Sequence, residues 1–203
     1  VVATNAELQA VETGDVDIHD QVVCDDDHIE EAMSAGFINL KIQPTLGYGY
    51  VATNQKNEIF QDVKVRQALL HAIDRKSLNQ AVYGQYAITL NIPQAPVSWL
   101  YDDEGMETYD YDLEKAAELL KEAGWEKDGD KLMKDGKQMK IVFSAMSGNV
   151  VTDTMIPLMI DAYGQLGIDF QAEYVDWPTL QSKSQNGTFD MLFMAWGLTA
   201  DPD

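Results

Sequence analysis

The sequence predicts an α/β fold built on a mixed, largely parallel sheet flanked by helices, and three observations carry that expectation. From Ile141 to Ala195 strand-like and helix-like segments alternate, and a strand, helix, strand, helix, strand order implies parallel pairing through right-handed crossovers. Two segments upstream, opening at Asp62 and Asp112, carry apolar residues at helical spacing behind a capping carboxylate. At 203 residues, 45% hydrophobic and 24% charged, the chain holds enough apolar material for one good core or two small ones.

Taken in order, Asn5 to Glu12 has helical spacing and Gly14 breaks it, after which Val16-Asp17-Ile18 reads as a short strand. Asp25 to Ala35 gives a second short helix closed by Gly36, and Phe37 to Gln43 alternates as a strand before Pro44. Tyr48 to Asn54 is a third extended segment. This opening stretch holds few large apolar side chains and reads as the edge of a larger domain.

From Asp62 the pattern changes. Val65, Ala68, Leu69, Ala72 and Ile73 form one continuous apolar face, and a second helical segment runs from Lys76 to Val82 before Tyr83-Gly84. The residues up to Asp112 carry prolines at 93 and 96 and no periodicity, a long irregular loop of the kind that is functional or wraps a neighbour. Asp112 caps a helix with Leu113, Ala116, Ala117 and Leu120 on one side, and Gly124 stops it.

Trp125 to Ala145 reads as a hairpin around Asp135-Gly136, a pair suited to tight antiparallel turns, with Ile141-Val142-Phe143 entering a core. Val150 to Leu166 is helical by Met155, Leu158, Met159, Ala162 and Leu166, with Pro157 in its first turns or kinking it. Ile168 to Val175, a helix from Trp177 to Asn186, and a strand from Asp190 to Ala195 complete the series. Met191 to Leu198 is an eight-residue run without charge, too short for a bilayer and the length of a strand covered on both faces. It opens into Trp196-Gly197 and then a carboxylate pair, Asp201 and Asp203. Strand ends opening into loops are where scaffolds present ligand-binding groups, so Trp196 and Asp201 are the first site candidates. The same segment also reads as a core strand and a surface turn around Pro202. A chain that stops on such a stretch reads as a fragment.

Charge and motifs exclude several classes. A net charge of −20 repels phosphates and anionic lipid head groups, which argues against nucleic acid and membrane-surface partners. Cys24 has no partner cysteine and reads as a small packing group. Neither a signal peptide nor a lipid-attachment cysteine stands near Val1. HExxH, GxxxxGK and GxSxG are missing, and His19, His28 and His71 are scattered, so no catalytic role is expected. Asp25-Asp26-Asp27-His28 lacks the alternating ligands of a calcium loop and reads as an acidic helix N-terminus, so no metal is expected. Gly47-Tyr48-Gly49 precedes a strand and carries no cofactor signal.

Four segments in order, Asp62 to Leu69 with Ala72 to Arg75, Tyr109 to Trp125, Gly187 to Asp190, and Trp196, resemble the solute-binding proteins of peptide-importing ABC transporters, the oligopeptide- and dipeptide-binding group. Leu8 to Ile18 is similar to the segment such proteins carry before the chain crosses between lobes. The resemblance implies a periplasmic-binding-protein-like lobe, one half of a two-lobed clamshell. Residues 1–47 would be a remnant of the first lobe, 48–195 the second lobe with an outgoing hinge strand, and 196–203 the return crossing.

The resemblance also implies the site. A receptor for many peptides must read backbone and termini, and an aspartate shortly after the Trp takes the ligand's ammonium. The equivalent position in several relatives holds Thr199 here, so that role falls to Asp201, beside Trp196 and Gly197. Trp177 resembles a pocket-lining position and equally a packing anchor. Phe193 stands where some relatives carry a basic residue for the ligand's carboxylate, which argues against length selection by a salt bridge. Tyr48 and Asn54 bound the outgoing crossing, and Met146, Ser147 and Asn149 supply polar contacts or a solvated loop. Arg66 and Asp74 read as structural ion-pair or capping groups. The implied partners are an oligopeptide and the permease subunits, with no nucleic acid and no cofactor. The protein would be an extracytoplasmic monomer, a surface lipoprotein or periplasmic, held at the membrane only by a removed lipid anchor or the permease. A sensor module, or transport of nickel chelates, haem or oligosaccharides, are the alternatives.

Overall fold

The computed structural model describes residues 9–19 and 26–199. Its elements are helix α1 (Asp26–Ser34), strand β1 (Tyr48–Thr53), helices α2 (Val63–His71), α3 (Arg75–Tyr83) and α4 (Leu113–Glu122), short strands β2 (Glu126–Asp128), β3 (Lys131–Lys134) and β4 (Lys137–Gln138), then β5 (Lys140–Met146), α5 (Val150–Gln165), β6 (Asp169–Val175), α6 (Trp177–Asn186) and β7 (Met191–Trp196). The main sheet has the order β1-β7-β5-β6. β5 pairs in parallel with β6 from Lys140↔Asp169 to Met146↔Val175, and with β7 at Phe143↔Met191 and Ser144↔Leu192. β1 runs antiparallel to β7 from Tyr48↔Trp196 to Thr53↔Met191. The expected parallel series is present, and β1 makes the sheet mixed.

Each helix from α2 to α6 begins on a short polar side chain that accepts an orphan backbone N–H. The pairs are Asp62 with Lys64 N, Asp74 with Ser77 N, Asp112 with Lys115 N, Asn149 with Thr152 N and Asp176 with Thr179 N, at 2.8–3.1 Å. Such caps are worth about 1 kcal/mol each. Asp74 is therefore a cap, while Arg66 donates to the Phe60 and Gln61 carbonyls.

Alternation along the strands separates two layers. Ile141, Phe143 and Ala145 face a core closed by α2, α4 and α5, in which Phe143 and Tyr163 both meet Phe170, at ring separations of 6.0 and 5.0 Å. The Tyr163 hydroxyl donates to Leu69 O at 3.3 Å, tying α5 to α2, and burial pushes its phenol well above the usual range. On the opposite face α6 lies against β5 with Leu180 and Leu192 buried. There the Ser144 hydroxyl donates to Glu173 at 2.6 Å, and Lys183 of α6 is paired with the same carboxylate.

Several expectations change. Val16-Asp17-Ile18 and Phe37 to Gln43 form no strand, because an extended segment becomes one only with a ladder beside it and none pairs with them among the described residues. In α4, Leu119 is buried and Ala117 exposed. In α5, Ile156 and Tyr163 face the core while Leu158 is exposed, so the buried stripe is rotated from the expected one. Pro157 lies inside α5. The hairpin is a three-stranded meander, β2-β3-β4, whose β3–β4 turn is Asp135-Gly136 with φ of +50° and +73°. β7 is buried at Met191 and Leu192 and exposed at Ala195 and Trp196, not covered along its length.

The meander docks on the amino edge of the main sheet through Leu132 N donating to Gly167 O at 2.7 Å and Asp169 N to Met139 O at 3.0 Å. Gly167 has φ +84°, and a Cβ there would lie 2.8 Å from Leu132 N and 3.0 Å from Asp130 O. Gly167→Ala in the full-length protein is expected to cost at least about 2 kcal/mol, read as a lower urea midpoint, since both the dihedral and the space refuse a side chain. A second outcome follows from Glu173, whose carboxyl the Lys183 ammonium, and then the Ser144 hydroxyl, hold below the usual carboxylate value. Its contribution is complete above the ordinary glutamate range and disappears as pH falls through the depressed value. The stability gap between the parent and Glu173→Gln is therefore expected to shrink on acidification from pH 7 to 3, measured by urea unfolding at stepped pH.

Candidate ligand-binding edge

Parallel strands send their carboxyl ends to one edge, and the connections diverge at β5: α5 leads to β6 on one side, and α6 returns the chain to β7 on the other. That makes the carboxyl end of β5 a topological switch point, where open α/β sheets form a crevice. Here the register shows where the strands part. The β5–β7 ladder ends at Ser144↔Leu192, while β7 continues to Trp196 paired with β1 alone.

Three strand ends and one strand start meet at this edge. After β5, Ser147 N donates to Val175 O at 2.9 Å, and Asn149 caps α5. After β6, Asp176 caps α6 and Trp177 opens it; the Thr179 hydroxyl and backbone N–H hold the Asp176 carboxyl below its usual value. β7 delivers Trp196 and Gly197, and antiparallel β1 begins at Tyr48, opposite Trp196. Met146, Ser147, Asn149, Trp177, Trp196, Gly197 and Tyr48 are thus brought to one edge.

The register assigns faces. Ser144 and Met146, Leu192, Met194 and Trp196, and Tyr48, Tyr50 and Ala52 share the α6 side of the sheet. The Tyr48 and Tyr50 rings lie 5.9 Å apart, and Trp196 and Trp177 are 55% and 48% exposed. Large apolar groups left open at an ordered edge are chemically suited to contact with a partly apolar ligand. Tyr50 and Met194 escape a reading by segment ends, yet the two-residue period counted from Tyr48 and Trp196 finds both.

Two candidates lie elsewhere. Phe193 has the opposite parity; it packs on the core, and its ring covers Gly49 so closely that a Cβ there would sit 2.9 Å from Phe193 Cζ. Asn54 is at the far end of β1, on the amino edge. Its backbone N–H donates to Asp190 O at 2.9 Å, and its amide donates to Gly187 O at 2.9 Å and Phe189 O at 2.7 Å. Asp190 completes this clasp, accepting from Asn57 Nδ2 at 2.8 Å and Val142 N at 3.0 Å. A groove of about 480 Å³ beside the clasp is lined by Lys56, Lys183, Glu173 and Asp190 among others, so its wall holds both cations and carboxylates. Asp201 lies outside the described residues, as do Asp203 and Cys24. Among the described residues no three His, Cys, Asp or Glu side chains gather as a metal site, and no helix is long and apolar enough to cross a membrane.

The chain is 34% identical over 206 residues to the oligopeptide-binding protein AppA of Bacillus subtilis (strain 168), which covers 98% of this chain and 37% of that protein. It is 30% identical over 167 residues to Heme-binding protein A of Haemophilus influenzae, covering 82% of this chain and 29% of that one. The solved structure of Bacillus subtilis AppA in complex with a nonapeptide superposes with a TM-score of 0.82 at 31% identity, over the whole of this chain and 41% of that chain. NikA from Brucella suis in complex with Fe(III)-EDTA gives 0.83 at 25% identity, again over the whole of this chain and 41% of the other. The chain therefore spans well under half the length of these relatives, and its mixed sheet between helices is a periplasmic-binding-protein-like lobe. With the model of the bacterial extracellular solute-binding proteins, family 5 (middle), matching residues 1–203, the chain belongs to that family.

Proposed function

We propose that this chain is the peptide-facing lobe of the substrate-binding component of an ABC importer, which captures oligopeptides in a cleft between two lobes and passes them to the membrane permease. The observation that carries this reading is the placing of half-buried Tyr48 and exposed Trp196 and Trp177 along one carboxyl edge of the sheet, in a chain 34% identical to an oligopeptide-binding protein. An aromatic platform takes side chains of many shapes by contact area, while main-chain groups at the crevice take what every peptide shares. Residues 48–195 serve as this lobe with its outgoing crossing, 1–47 belong to the first lobe, and 196–203 return to it. Asp201 holds the ligand's ammonium, and the role is binding without catalysis. The whole protein works as a monomer outside the cytoplasm, as a surface lipoprotein or in the periplasm, held at the membrane by a lipid anchor or by the permease.

The similarity to Heme-binding protein A and to NikA with its iron chelate favours one second reading, in which the transport role is the same and the cargo is a non-peptide chelate. Mass spectrometry of material released from the purified full-length protein separates the two. Mixed short peptides are expected, and a single non-peptide metabolite would sink the peptide reading. Asp201→Asn in the same protein is expected to weaken peptide binding by about 2–5 kcal/mol in calorimetry, the cost of an uncompensated buried ammonium. Unchanged affinity would return Asp201 to a turn-forming role.

A further inference from the structure

The loop between α3 and α4 is ordered by its own bonds yet shows apolar side chains to solvent. Arg75, half-buried, holds both of its ends, donating to Leu90 O at 2.9 Å on one side and Tyr109 O at 3.0 Å on the other, with a further bond to Asn91 at 3.0 Å. Asn79 donates to Thr89 Oγ1 at 2.8 Å, and Asp112 N to His71 O at 2.8 Å. Ala95 is buried, and the tip is turned by Ser98 N to Ala95 O at 2.9 Å and Tyr101 N to Ser98 O at 3.1 Å. On this fixed frame Trp99 is 75% exposed, and Val97, Leu100 and Met106 of the same loop are open as well.

Exposing a tryptophan on an ordered loop is unfavourable unless something covers it, and aromatic anchors in fixed positions are what protein interfaces use. The surrounding charge restricts the cover. Every charged residue between Lys76 and Lys115 is acidic, and Asp102, Asp103 and Glu104 directly follow the apolar tip. Like charge disfavours a second copy of the loop and an anionic lipid surface, whereas a basic rim complements it.

We propose that this loop is a docking surface for a protein partner that presents an apolar groove rimmed by lysine and arginine, with Trp99 as the anchor and the acidic run steering the encounter. Resting on the transport reading above, the partner is the permease of the importer.

The test uses full-length protein and the neighbouring permease and ATPase gene products reconstituted in nanodiscs. Trp99→Ala is expected to weaken association about ten-fold or more. Asp102→Asn, Asp103→Asn and Glu104→Gln together are expected to slow association and flatten its salt dependence, with Tm and calorimetric affinity for a mixed nonapeptide pool unchanged. Association indifferent to both changes overturns the proposal. So does acrylamide quenching that finds Trp99 shielded in the free full-length protein, because the remainder of the polypeptide is then its cover. If the nonapeptide pool fails to bind while association still depends on Trp99, the cargo reading falls and the docking surface stands.

Discussion

The clasp at the amino edge sets the geometry on which the candidate ligand edge depends. Asp190 accepts from Val142 N and from Asn57, while Asn54 reaches back to the carbonyls of Gly187, Phe189 and Asp190. These bonds place the start of β7 against both of its neighbours, so they choose its register. Strand side chains alternate, and a slip of one residue would carry Trp196, Met194 and Leu192 to the other face. A carboxylate accepting hydrogen bonds is worth roughly 1.5–3 kcal/mol where a neutral bond is worth about 1, which makes Asp190 a strong point at which to settle that choice. The ligand edge is thus positioned from the opposite end of the same two strands.

That relation explains why the site was only partly legible in the sequence. Tyr48 and Asn54 stand together as the bounds of one extended segment, but six residues of strand separate them by about 20 Å, and antiparallel pairing puts them on opposite edges. Phe193 and Trp196 are three apart in β7 and therefore face opposite sides. Helices are easier to read, since Asp62 and Asp112 announce their starts by chemistry that acts within three residues. Which stripe of a helix is buried depends on distant partners, and Leu119 and Leu158 show the limit. The apolar tail of β7 carries the same lesson. Hydrophobicity marks it for contact, and sequence alone does not say whether the contact is with a core or a ligand.

The acidic character of the chain is put to local use as well as spread over its surface. Asp62, Asp74, Asp112 and Asp176 sit where unpaired backbone N–H groups need acceptors, and the Asp74 and Asp176 carboxyls are held below their usual range by the Ser77 and Thr179 hydroxyls and then by those backbone bonds. Glu173 adds a cross-layer pair between β6 and α6. A small part of the negative charge therefore works here as helix-initiating and layer-joining chemistry.

The early end of the β5–β7 ladder has one more consequence. From Phe193 to Trp196 the backbone of β7 keeps β1 on one side and no ladder with β5 on the other, leaving a rail of roughly 13 Å without a strand beside it among the described residues. A rail of that length has the reach of about four residues of extended chain. It is indifferent to side chains, because main-chain groups are the same at every position. Breadth of recognition and a fixed binding direction would then share one origin, a strand that outruns its neighbour.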